Sequence, residues 1–250
     1  MNSERKTFDR FFTEAALTEQ ERVVLSGSEV HHLKNVLRYK PGQTVELFNG
    51  RGQVALATVC EVGRTAVTLE VQHSRSVERE TGPAVTVASA IPKGERLRWL
   101  VEKLTELGAA RFVPLICERS VVVPSGSKQA KLQQYAVEAC KQCRRNWLPE
   151  IQQPVPFREF LEAEGSKQRL LVAHPGGQTV GSVLADRLRT SASPVAIVVG
   201  PEGGFTSEEL AAAKAVGAEQ VDLGPRVLRV ETAALALLAW LTLQLNWGTS

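Results

Sequence analysis

The 250-residue sequence offers no apolar run long enough for a membrane. The unbroken apolar stretch Ala233 to Leu241, extended by Leu243 and Leu245, falls well short of the ~20 residues of a spanning helix. A buried or subunit-facing helix is expected there instead. The start, MNSERKTFDRFF, is charged from Glu4 onward and lacks the apolar segment of a secretory signal, so a cytoplasmic protein is expected. Cysteine is scarce, at Cys60, Cys117, Cys140 and Cys143. Cys140-Lys-Gln-Cys143 has the gap of a zinc knuckle, but no second Cys or His pair supplies the remaining ligands. No metal is expected, and the thiols are expected to be reduced and part-buried. Phosphate cradles are missing as well. There is no GxxxxGK[ST] string and no GxGxxG after the first strand, which removes the usual sites for ATP and NAD. Repeats and low-complexity segments are absent.

What remains is ordinary globular material, 43% apolar and 23% charged, enough for one large domain or a large one with a small one. The net charge of +3 hides an asymmetry. Residues 93–147 carry eleven Lys or Arg against five Glu and no Asp, whereas residues 148–250 carry eight basic against eleven acidic side chains. The middle of the chain is either a polyanion-binding surface or a solvated helix face.

Between Val45 and Val71, β-rich runs at Val45–Phe48, Val54–Val59 and Ala66–Val71 are separated by turn signals, with Asn49-Gly50 in a hairpin loop. A small barrel or sandwich is expected. Before it, Ser28 can cap a short helix that buries Val30, Leu33 and Leu37, places His31, Lys34 and Arg38 on another face, and ends by Pro41-Gly42. That stripe could hold phosphate, although three exposed cations on a helix are more often plain surface. Ser74–Pro83 lacks apolar periodicity and fits a linker. Beyond it, strands and helices alternate. Strands are expected at Ala84–Ile91, Arg111–Cys117, Leu170–Ala173, Val195–Val199 and Gln220–Leu223. Helices are expected from Lys93 to Leu107, stopped by Gly108, from about Lys128 to Asn146, and from Glu231 to Asn246. In the second of these, Leu132, Tyr135, Ala136, Ala139 and Cys143 form the buried stripe, and Lys141 and Arg145 point away. Such alternation predicts an α/β domain with a mostly parallel sheet.

In open parallel sheets, ligands bind beyond the carboxyl ends of the strands. The loops there are His174-Pro175-Gly176-Gly177, Gly200-Pro201-Glu202-Gly203-Gly204-Phe205 and Gly224-Pro225-Arg226-Val227-Leu228-Arg229. Glycine lets backbone approach a ligand and proline stiffens the turn, so these loops can present main-chain groups to a nucleoside. Thr206 and Glu209 form a capping box, which accounts for part of the second loop's composition.

Several ordered strings together are far more specific. They include His32-Leu33 with Val36-Leu37-Arg38, Lys103 with Glu106-Leu107-Gly108, Glu118-Arg119, and Gln142-Cys143 with Arg145-Asn146. They continue with Pro149-Glu150-Ile151, His174-Pro175, Val199 to Gly204, and Leu223 to Arg229 with Glu231-Thr232. Over nearly its whole length the chain resembles the RsmE family of SPOUT-class methyltransferases. The resemblance implies an N-terminal PUA-like β-barrel that holds rRNA (residues 1–73), a linker (74–83), and a SPOUT α/β domain with a deep trefoil knot (84–250). It implies a homodimer that uses S-adenosylmethionine to methylate N3 of uridine 1498 in 16S rRNA of the small ribosomal subunit. Two positions depart from the family pattern: Arg144 stands where a glycine usually precedes the Arg-Asn pair, and Ala233 follows Thr232 where threonine is common.

The resemblance also distributes roles. Cofactor contacts fall to His174 and Pro175, to Val199, Gly200, Pro201, Glu202 and Gly203, to Leu223 and Gly224, to Val227, Leu228 and Arg229, and to Glu231, Thr232 and Ala233. RNA contacts are expected at Arg10, His32, Arg119, Arg145 and Asn146, at Lys34 and Arg38 from the helix stripe, and at Arg144, whose departure from the family pattern adds positive charge to the basic middle of the chain. Uracil N3 is a poor nucleophile until its proton leaves, so the enzyme must position the reacting atoms and favour the imide anion. Arg229 is the first choice for stabilising that anion, against a role bracing its loop. Glu202 is the second catalytic candidate, to orient cofactor or base. Glu231 also sits where a carboxylate favours the start of the last helix.

Overall fold

The structure, a computed structural model, describes residues 8–78, 83–122, 129–184 and 193–244. It divides into two compact units, one of residues 1–79 with 140–148 and the other of residues 80–139 with 149–250. The expected helix start at Lys128 and the last turn to Asn246 lie outside the described residues.

The N-terminal unit begins with β1 (Arg10–Phe12) and β2 (Arg22–Ser26), followed by α1 (Ser28–His31) and a π-helical turn (His32–Val36). Then come β3 (Thr44–Phe48), β4 (Gln53–Val62) and β5 (Ala66–Ser76). They form a five-stranded sheet ordered β1-β3-β4-β5-β2, parallel between β1 and β3 and antiparallel elsewhere. Period-two patterning drives it: Val23 and Leu25, Val45 and Leu47, and Val67, Leu69 and Val71 all enter one core with Phe11 and Leu33. The three β-rich runs expected from sequence are β3, β4 and β5. β1 and β2 are additional, and β5 reaches Ser76, so the first residues of the expected linker are strand. The first helix also differs. Its N-cap is Gly27 at φ 61, with no side-chain cap from Ser28. It ends in the π turn, where Leu37 N donates to His32 O, and Arg38 takes φ 57 before Pro41-Gly42 is reached.

The larger unit contains β6 (Val85–Ala90), α2 (Arg96–Glu106), β7 (Arg111–Ile116), α3 (Gln129–Cys143), β8 (Glu150–Ile151), β9 (Val155–Pro156) and α4 (Phe157–Glu164). It continues with β10 (Arg169–Thr179), α5 (Val180–Leu184), β11 (Val195–Val199), α6 (Ser207–Ala215), β12 (Glu219–Asp222) and α7 (Val230–Gln244). The last turn of α3 belongs to the N-terminal unit. Every pairing in its seven-stranded sheet, ordered β12-β10-β11-β6-β7-β8 with β9 beside β7, is parallel.

The central strands are buried on both faces, as parallel sheets require. Ala88, Val113, Val172, Ala196 and Val198 pack with Phe157, Phe160 and Ala213. Alternation turns Val87 and Ile197 to the opposite face, and α7 packs on β6, β11 and α2. α2 starts at Arg96 rather than Lys93, after Gly94 at φ 65, and stops as expected at Gly108, φ 87.

Candidate functional site

The C-terminal ends of β10, β11 and β12, neighbours in the sheet, open into a cavity of about 340 Å³. Its wall includes His174 and Pro175, the run Val199 to Phe205, and Leu223, Gly224, Val227 and Leu228, with Ala233 from α7. The three glycine-proline segments thus meet at one place. One of them is not a loop: His174-Pro175-Gly176-Gly177 lies within β10, whose register against β12 shifts between Ala173 and Gln178. Gly177 is required there, because a Cβ would stand 2.7 Å from the Gln220 backbone of β12.

Asp222, at the end of β12, holds two of these turns. One carboxylate oxygen accepts from Gly176 N at 2.9 Å and the other from Gly224 N at 2.8 Å. These backbone donors, Gly176 first, hold its carboxyl below the usual 3.8. Gly224 has φ 106 and open space where a side chain would project, so its turn excludes side chains by backbone strain and leaves the main chain bare to a ligand. A cross-link steadies the third turn. Arg119 donates to Gly203 O at 2.9 Å, and Gly204 N donates to Pro201 O at 2.8 Å. The capping box of α6 is present, with Thr206 N donating to Glu209 at 2.8 Å and Glu209 N donating to Thr206 Oγ1 at 3.2 Å. Glu209 also accepts from Glu118 N at 3.0 Å, which ties the segment after β7 to the start of α6.

Arg96, on α2, bridges two acidic groups, lying 3.3 Å from Glu231 and 3.9 Å from Glu202. Glu231 is buried, and its carboxylate engages Arg96. It lies outside the cavity wall, as do Thr232 and Arg229, which are exposed. Arg229 starts α7 through its carbonyl, which accepts from Ala233 N at 2.9 Å. Arg119, Phe205, Asp222 and Arg226 line the cavity although they were not among the expected cofactor residues. The Asp222-x-Gly224 spacing of an Asx turn was the available signal. The others depend on long-range packing. Cys117 is no nucleophile here, because burial and the nearby Glu209 push its thiol up to about 12.

The side chains expected to meet RNA separate into two groups. Arg10 and Arg145 are buried. Arg10 lies 2.7 Å from Glu46, donates to Cys140 O at 3.1 Å and Asn146 Oδ1 at 2.5 Å, and stacks on Phe48. Buried this way, it braces the N-terminal unit instead of meeting solvent. Lys141, expected to point outward, has its side chain 8% exposed and paired with Glu29 at 3.0 Å. His32 contacts the same Lys141, and Lys34 donates to Gly63 O at 3.0 Å. Arg38 and Arg144 are exposed.

A family profile described as an RNA methyltransferase domain matches residues 79–242, and one described as an RNA methyltransferase PUA domain matches residues 25–72. The ribosomal RNA small subunit methyltransferase E of Bacillus subtilis is 32% identical over 240 residues, 93% of this chain and 94% of that protein. This chain belongs to the ribosomal RNA small subunit methyltransferase E family. Its relative of the same name from Synechocystis sp. is 34% identical over 219 residues, covering 87% of this chain and 71% of that protein. The methyltransferase E of Neisseria gonorrhoeae, whose crystal structure has S-adenosyl methionine bound, superposes with a TM-score of 0.84 at 30% identity, over 94% of this chain and 97% of that one. In this family member the RNA methyltransferase profile spans the whole cavity, and the PUA profile covers β3, β4 and most of β5. Among the described residues no helix is long and apolar enough to cross a membrane.

Proposed function

We propose that the chain methylates N3 of uridine 1498 in 16S rRNA, with S-adenosylmethionine as donor in the cavity of β10, β11 and β12. The carrying observation is that stiff backbone turns converge on one cavity in a chain whose Neisseria relative binds that cofactor. The residues present suit it. Backbone of the Gly200 and Gly224 turns fits a flat purine, Val199, Leu228 and Ala233 supply apolar contact, and Arg119, Glu202, Asp222 and Arg226 supply charge for an amino-acid tail. When bound, the cofactor supplies an electrophilic sulfonium methyl.

The protein's own task is to hold the uracil and favour loss of its N3 proton. Arg229, exposed between the cavity wall and α7, stabilises the imide anion through its guanidinium charge. Glu202 orients the base or the cofactor from the rim, its carboxylate half-exposed near Arg96. The working enzyme on this reading is a cytoplasmic homodimer with a trefoil-knotted catalytic domain. Labelled S-adenosylmethionine and small subunits lacking the modification provide the test. N3-methyluridine at position 1498 is the expected product. Label at another base or at a ribose oxygen would replace this assignment with a different methyl acceptor.

A further inference from the structure

We propose that Arg96 is a positioning residue for methyl transfer: it holds the Glu202 carboxylate at the cavity as acceptor of the uracil N3 proton and moves onto Glu231 as that proton arrives. The role rests on the uridine N3 reading above and names the proton acceptor within it. Among the described residues the cavity wall has two carboxylates, Glu202 and Asp222. Both oxygens of Asp222 are engaged by Gly176 N and Gly224 N, which leaves Glu202 to take up a proton. The Glu202 side chain is 41% exposed and meets Arg96 at 3.9 Å, an ion contact beyond hydrogen-bond length.

Arg96 divides its guanidinium between two acids. Nη2 is the nitrogen near Glu202, and Nη1 lies 3.3 Å from Oε1 of Glu231. The Glu231 side chain is 6% exposed, and its other oxygen, Oε2, is buried with no hydrogen-bond partner among the described residues. The helix that carries it, α7, packs on β6, β11 and α2. β6 and β11 bear no ionisable side chain, so α2 supplies the cation through Arg96. A buried carboxylate with one bare oxygen is costly and draws a second donor. One guanidinium neutralises only one of the two acids, so a surplus negative charge stands beside the place where a proton must be accepted.

The proton passes from N3 to a Glu202 oxygen, and the N–H electron pair stays on nitrogen as the imide anion that Arg229 stabilises. That pair then bonds to the methyl carbon while the carbon–sulfur pair withdraws to sulfur. Neutral Glu202 no longer attracts Arg96, whose Nη2 is free to donate to Oε2 of Glu231. Exposed at the rim, Glu202 afterwards returns its proton to solvent.

The test compares the full chain with Glu202→Gln, with Arg96→Gln/Glu231→Gln, and with all three changes together. Small subunits lacking the modification are the substrate, and kcat, KM, S-adenosylmethionine affinity and melting temperature are measured for each. Changing Arg96 and Glu231 together leaves no buried charge alone, so the melting temperature should stay near the parent's. Glu202→Gln should lower kcat about a hundredfold, the scale of general-base catalysis. Arg96→Gln/Glu231→Gln should lower it about tenfold, as misplacement of a reacting group does, with KM and cofactor affinity unchanged. The triple variant should be no slower than Glu202→Gln, because Arg96 acts through Glu202. In a crystal structure of Glu202→Gln, whose neutral amide mimics the protonated acid, Arg96 should engage both oxygens of Glu231. An unchanged kcat in Arg96→Gln/Glu231→Gln, losses that multiply in the triple variant, or an unmoved Arg96 in Glu202→Gln would each overturn the role while the parent still forms N3-methyluridine. No N3-methyluridine from the parent would sink the uridine reading and this role together.

Discussion

Asp222 shows how much one side chain can organise at a strand end. Its two oxygens accept from Gly176 N and Gly224 N, so one carboxylate couples two turns that are 48 residues apart in sequence. Replacing it by alanine removes both acceptors while leaving the sheet pairing of β10 with β12 in place. Asp222→Ala is expected to weaken S-adenosylmethionine binding about tenfold, the scale of losing charge-assisted hydrogen bonds, as calorimetric titration would read. Unchanged affinity would mean that glycine geometry alone holds the turns. The glycines and prolines here were legible in the sequence because their backbone constraints are local. The partners of Arg119 and the burial of Arg10 were not, since charge on paper carries no information about which cations are enclosed. Phe205 belonged to a recognised string, yet its place on the cavity wall needed the fold.

At the scale of elements, β7 and α4 are joined by Arg111, which grips both oxygens of Glu164 at 3.2 and 2.6 Å. Burial alone would raise the Glu164 carboxyl, but Arg111, with Lys167 and Gln168, outweighs it and holds the group below its usual 4.5. A depressed carboxylate stabilises the fold above its unfolded value and loses that contribution as pH falls through the folded one. Glu164→Gln should therefore cost about 1–3 kcal/mol near neutrality. The gap to the parent should close below pH 4.5, as urea unfolding at a series of pH values would show. A gap independent of pH would refute the linkage. Strands β6, β7, β11 and β12 were readable within a residue or two, because buried parallel strands are short apolar runs bounded by turns. β1 was not: three residues, Arg10–Phe12, make a strand only because Glu46 to Phe48 offer them a parallel edge.

At the scale of the whole molecule, the N-terminal unit is assembled from two distant stretches of chain. Residues 140–148 return to it, Trp147 pairs with Arg51, Gly52 N donates to Asn146 O at 3.1 Å, and Arg10 draws on Cys140 and Asn146. A fragment of residues 1–79 would leave the buried Arg10 without two of these acceptors. Glu46 would remain beside it, but each hydrogen bond lost from a charged group costs about 1.5–3 kcal/mol, a large share of what a small unit can spare. The fragment is expected to be unfolded or loosely packed by amide NMR dispersion, and a well-dispersed spectrum would show that the return segment is dispensable. The linear sequence alone determined the α/β class, the parallel alternation, the turn chemistry of the cavity and, through ordered strings, the family. Those properties follow from short-range periodicity, backbone preference and residue order. Only the tertiary structure decided that Arg10 and Lys141 are internal, that Asp222 ties two turns, and that Arg96 stands between two carboxylates. Each of those depends on pairings between segments far apart in the chain, and on which charges the fold removes from water.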